Sequence, residues 1–242
     1  MSGRAGEEPP TVTIDSDDDR LASLDGGAVV VVDVLRSTTT AVTAVALGRR
    51  CFPASSLESA ARLAQRLEGA LLVGELGGNM PYGFDLTNSP AGIADRDDVD
   101  RPMILLSSSG TRLLCHAQEA ATSVYVGCLR NASAVAERVA ARADSVVVVG
   151  AETRGEFREE DQLCCAWIAE RLLASGYRPG DSRTRELVER WRGSPVEAIT
   201  VSRSVTYLRE TDQLRDLAFV LEHVDDLRDA FLMVGGEIVE DG

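Results

Sequence analysis

The sequence contains no lysine: all 25 residues in its Lys-plus-Arg total are arginine. This excludes Schiff-base chemistry and removes the phosphate-loop lysine of Walker-type nucleotide triphosphatases. Histidine is scarce, with only His116 and His223. His116 falls in an expected helix and His223 beside Asp225 and Asp226, so a histidine-centred triad has no support. Aromatic residues make up 5% of the chain, which leaves valine, leucine and alanine to fill a core. No apolar run approaches about 18 residues, and no basic start is followed by an apolar stretch. A cytoplasmic protein that neither spans a membrane nor is exported is expected. The five cysteines, Cys51, Cys115, Cys128, Cys164 and Cys165, are odd in number and lack C-x-x-C spacing, which suits reduced thiols.

What is present is acid. The formal net charge is -14, which repels nucleic-acid backbones and anionic lipid, so neither is expected as a partner. A site for a small anion must then be assembled locally from arginine, backbone N–H groups and a metal ion. With 242 residues and 44% hydrophobic content, the chain suits one full-sized core. Residues 1–20, rich in Gly, Pro and Asp, are expected to be a flexible tail, and 21–242 a single domain. Its oligomeric state stays open, a homo-oligomer included.

From residue 28 onward, aliphatic runs alternate with helical periodicity. The runs 29–34, 71–73, 103–106, 124–126 and 146–149 are apolar on both faces, as buried parallel strands are. Between them, Ser55 and Glu58 suggest a capping box, Asn131 a second helix cap, and 162–176 a third helix ending at Gly176. The pattern predicts a three-layer α/β/α fold with a largely parallel or mixed sheet. The C-terminal part is more helical, and a last segment, 231–239, broken by Gly235 and Gly236, predicts a strand or hairpin.

The chemistry-bearing residues follow the aliphatic runs, where open parallel sheets bind ligands. After the first run stand Asp33, Arg36, Ser37 and Thr38; after the second, Glu75; after the third, Ser109, Gly110 and Thr111. Hydroxyl-rich helix starts offer N–H groups to an anion, and Arg36 can add a bidentate contact; simple N-capping by Ser37 is the alternative. Asp85, Asn88 and Ser89 lie in an irregular segment where they either converge on the site or cap turns. Glu160 and Asp161 stand before a helix. Cys164 follows them, where a dipole-stabilised thiolate or a small packing residue both suit the pattern. Carboxylates without Cys or His partners favour a hard ion, Mg²⁺ before Zn²⁺.

Six motifs in order resemble the 2-phosphosulfolactate phosphatase family: residues 33–40, Gly74-Glu75, 83–90, 109–111, Asn131-Ala132 and 160–164. The likeness runs from about Val29 to Gly176, and departs from the family pattern at Thr87, Ser109 and Cys165. It implies a Mg²⁺-dependent phosphatase that, in coenzyme M biosynthesis, converts 2-phosphosulfolactate to sulfolactate and phosphate. The expected catalytic set is Asp33, Arg36, Asp161 and Cys164. The expected substrate contacts are Ser37, Thr38, Asn88, Ser89, Ser109, Gly110, Thr111 and Asn131. Metal ligands are sought among Asp33, Glu75, Asp85 and Glu160, with Asp33 either ligand or nucleophile. Two other readings remain: a phosphatase of the same fold for a sugar or nucleoside phosphate, and a non-catalytic anion-binding protein.

Overall fold

A valine run with no polar face is stable only where helices cover both sides of a sheet. In β2 (Ala28–Val32) every residue is buried. Val30 and Val32 turn to one core and Val29 and Val31 to another. The computed structural model describes residues 9–16 and 27–241.

The elements run β1 (Thr11–Asp15), β2, α1 (Ser37–Ala46), β3 (Cys51–Ala54), α2 (Leu57–Arg66), β4 (Leu71–Gly74), α3 (Pro90–Ala94), β5 (Met103–Leu106) and α4 (Gly110–Ala120). There follow β6 (Ser123–Gly127), α5 (Ala132–Ala140), β7 (Ser145–Gly150), a short hairpin β8 (Glu152–Thr153) and β9 (Glu156–Phe157), then α6 (Glu159–Ala174) and β10 (Arg178–Pro179). The chain ends with α7 (Ser182–Trp191), a 3-10 turn (Val196–Val201), α8 (Arg203–Glu210), α9 (Leu214–Glu222), β11 (Ala230–Val234) and β12 (Glu237–Asp241).

Ten strands form one sheet in the order β10-β1-β7-β2-β6-β11-β12-β3-β5-β4. The blocks β10-β1-β7-β2-β6 and β3-β5-β4 are each parallel inside. The antiparallel hairpin β11–β12 joins them through one bridging pair on each side, Leu232 with Tyr125 and Ile238 with Cys51. Residues of α5, α6 and α7 fill one core with Val30 and Val32; residues of α1 and α4 fill the other. The mixed α/β sheet and the C-terminal hairpin match the expectation.

Three expectations change. Residues 11–15 are not tail but strand β1, paired in parallel with β7 and β10. Val12 and Ile14 are its fully buried face, an alternation too short to stand out between acidic neighbours. The rest of the expected tail lies outside the described residues, except 9, 10 and 16. Ser56, not Ser55, caps α2: its Oγ accepts from Ser59 N (3.2 Å) and Ser59 Oγ accepts from Ser56 N (2.9 Å). Asn131 stands at the cap position of α5 but makes no capping bond.

Candidate active site

The C-terminal ends of β2, β4, β5 and β7 open on a cleft of about 720 Å³, lined among others by Asp33, Arg36, Glu75, Asn88 and Ser109. The β8–β9 hairpin and α8 form its opposite wall, bringing Arg154, Arg158, Arg203 and Tyr207.

Asp33 opens the turn from β2 to α1. Its Oδ2 accepts from Ser37 Oγ (2.8 Å), its Oδ1 from Ser37 N (3.3 Å), and the Gly110 N–H also donates to it. The N-termini of α1 and α4 therefore converge on this carboxylate. The N–H groups expected to hold a substrate anion serve the chain's own Asp33 instead, as helix starts serve any anion. Burial raises its pKa above the usual aspartate range, Ser37 opposes the shift, and the nearby Glu75 charge adds to it. Ser37 and Gly110 thus act on Asp33 rather than lining the cleft.

Glu75 ties two loops together. It accepts from Ser108 N (2.7 Å) and Ser108 Oγ (3.0 Å), and from Gly78 N (2.7 Å). Arg36, 5% exposed, follows a cis Leu35–Arg36 peptide bond. Its Nη1 donates to Asp216 Oδ2 (2.6 Å) and Gln213 Oε1 (2.5 Å), both from the C-terminal helical segment. Asn88 is 2% exposed on the cleft wall, and its buried Oδ1 has no partner among the described residues.

Several expected site residues are structural. Thr38 Oγ1 closes the β2–α1 turn by accepting from Asp33 N and donating to Asp33 O. Thr111 does the same for Ser107 in the turn before α4. Asn131 is fully buried and bonds Cys128 N and Val126 O. Ser89 caps α3 and donates to Asp216. Asp85, 43% exposed, accepts from Leu72 N near the start of β4 and pairs with Arg101, so it does not face the cleft. Cys164 is fully buried in the apolar core, and burial pushes its thiol well above the usual range, contrary to a thiolate nucleophile.

Asp161 and Glu160 lie behind Asp33 rather than in the cleft. Asp161 Oδ1 accepts from Val34 N (2.7 Å), and burial, then Glu160, then Asp33 raise its pKa well above the usual range. Glu160, 1% exposed, bonds Ser204 and Ser202, yet its Oε2 is unpartnered among the described residues. Burial raises its pKa as well. Of the four expected metal ligands, Asp33 and Glu75 reach the cleft, and no group of three or more His, Cys, Asp or Glu residues suited to a metal occurs among the described residues.

Sequence reasoning missed Asp216, Gln213 and the β8–β9 and α8 wall. The Tyr207 Oη donates to Gly78 O (2.5 Å) and joins α8 to the loop after β4. No local pattern marks these residues, because each contact bridges segments more than a hundred positions apart.

Residues 15–227 match the family model described as 2-phosphosulpholactate phosphatase. A probable 2-phosphosulfolactate phosphatase of Synechococcus sp. strain CC9605 is 33% identical over 196 residues, 78% of this chain and 80% of that protein. One from Carboxydothermus hydrogenoformans is 40% identical over 151 residues, 62% of each chain. The 2-phosphosulfolactate phosphatase of Methanothermobacter thermautotrophicus is 36% identical over 143 residues, 59% of each. With Asp33, Glu75, Arg36 and Asn88 gathered at one cleft, and the family model spanning most of the sequence, the chain belongs to the 2-phosphosulfolactate phosphatase family.

Proposed function

We propose that the chain is a Mg²⁺-dependent phosphatase that hydrolyses 2-phosphosulfolactate to sulfolactate and inorganic phosphate. The carrying observation is the meeting of Asp33 and Arg36 at one cleft in a chain of this family. Water attacks phosphorus in line, the P–O ester bond breaks, and the departing oxygen takes a proton. Arg36 Nε and Nη2, which have no partner among the described residues, are the donors for phosphoryl oxygens, and Ser109 and Arg112 line the same cleft. The buried Asp33, fixed by two helix starts, is the carboxylate on which hydrolysis depends.

The donor set fits Mg²⁺. Asp33 and Glu75 are close enough to repel each other, Asn88 adds an unpartnered amide oxygen, and hard cations take oxygen ligands with water completing the shell. When bound, the ion supplies charge neutralisation at the phosphoryl group and makes water a stronger nucleophile. No helix among the described residues is long and apolar enough to cross a membrane.

The cleft, about 720 Å³, also has room for a bulkier phosphate ester, which keeps a sugar or nucleoside phosphate as the second reading. A panel of esters scored by released phosphate, with Mg²⁺ and with chelator, decides between them. Fast release from 2-phosphosulfolactate that stops with chelator supports the first reading. Preference for another ester supports the second, and chelator-resistant release removes the metal from both.

A further inference from the structure

Asp216 lies in the first turn of α9, 180 positions after Arg36, and is 2% exposed. Its single carboxylate accepts from three donors on two segments of the site. Oδ2 takes Arg36 Nη1 (2.6 Å); Oδ1 takes Ser89 Oγ (2.6 Å) and Ala91 N (3.3 Å). Gln213, at the start of the same helix, accepts from the same Nη1 (2.5 Å). One segment carries Arg36 and the other carries Asn88, next to Ser89, and both Arg36 and Asn88 line the cleft.

We propose that Asp216 is a positioning residue, which aims the Arg36 guanidinium at the bound phosphoryl group and holds the Asn88 segment against it. The inference rests on the reading that this cleft binds a phosphoryl group. An arginine side chain has about 2 kcal/mol of rotamer entropy to lose on being fixed, and the buried carboxylate fixes it before any anion arrives. Both Nη1 hydrogens are committed to Asp216 and Gln213. That turns the Nε and Nη2 edge, the edge suited to bidentate phosphate recognition, into the free one. A purely structural ion pair would need the same contacts, so the test has to read anion binding as well as stability.

Inorganic phosphate is titrated calorimetrically into wild type, Asp216→Asn, Arg36→Gln and the double variant, with folding checked by thermal melting. Asp216→Asn keeps one oxygen for Ser89 and Ala91 but turns an N–H toward Arg36. Losing one charge-assisted hydrogen bond corresponds to about tenfold weaker phosphate binding. At least that loss is expected for Arg36→Gln, and the double variant should bind no more weakly than Arg36→Gln alone, because both act through one guanidinium. If Asp216→Asn does not fold, Gln213→Ala, which removes one acceptor of the same Nη1, takes its place with a smaller loss that is again absent in the Arg36→Gln background. A folded variant that binds phosphate within twofold of wild type, or losses that add, overturns the proposal. So does a wild type with no measurable phosphate binding. A wild type that binds phosphate but releases none from 2-phosphosulfolactate overturns the proposed substrate and leaves the positioning role standing.

Discussion

Gly110→Ala probes the site at its tightest point. An alanine methyl there would lie 2.8 Å from Asp33 Cβ and overlap both Asp33 Oδ2 and Ser37 Oγ. Carbon atoms in contact sit about 3.5–4.0 Å apart, so Asp33 has to withdraw by roughly 1 Å. Asp33 has little room to do so, being buried and bonded to Ser37 at the start of α1. A displacement of about 1 Å at a reacting group costs on the order of 10²-fold in rate, and overpacking costs about 1–3 kcal/mol of stability. Phosphate release under substrate-limiting conditions gives kcat/KM, and thermal melting confirms the fold. The variant is expected to melt a few degrees lower and to lose about two orders of magnitude in kcat/KM. A folded variant within twofold of wild type would refute the assignment of Asp33 to the reacting end.

Cys164→Ala should keep kcat within about twofold while lowering stability by about 1 kcal/mol, a small cavity cost; loss of turnover in a folded variant would restore the thiol to the mechanism. Asp85→Asn should leave both turnover and the Mg²⁺ concentration for half-activation unchanged, and a rise in that concentration would make Asp85 a ligand after all. Asp98 is held well below the usual carboxylate range by Arg96 and then, despite an opposing desolvation effect, by the buried Arg49. A depressed pKa gives stability that is present above the unfolded aspartate pKa of about 3.9 and lost as pH falls toward the folded one. Asp98→Asn should therefore cost about 2–3 kcal/mol near neutrality, less than a fully buried pair because Asp98 is 26% exposed. The cost should shrink below about pH 4, and a difference that is constant across acid denaturation series would contradict the pairing.

The sequence made the inner strands legible because burial on both faces leaves only aliphatic residues to choose from. It also brought Asp33, Arg36 and Glu75 to one edge, since residues that follow parallel strands meet there whatever the details of packing, while Asn88 stayed open between the site and a turn cap. It could not tell a hydroxyl that touches a ligand from one that closes a turn. Thr38, Thr111 and Asn131 have the right type and place, yet their bonds go to backbone atoms one turn away. Asp85 misled for a related reason: the segment after β4 doubles back, so Asp85 meets Leu72 near the start of that strand rather than the cleft. Asp216 left no trace, because its significance lies in a contact across 180 positions. The strand β1 was hidden by length, with two buried apolar residues in five.

Placing Asp33 at the reacting end of a phosphatase site is the assignment on which the proposed function turns. Phosphate release from 2-phosphosulfolactate by wild type and Asp33→Asn, both with saturating Mg²⁺, tests it most directly. Rapid release by wild type and loss of at least about three orders of magnitude in a folded Asp33→Asn protein are expected, the scale seen when a central catalytic group is removed. Release by Asp33→Asn within tenfold of wild type would remove Asp33 from the reacting end.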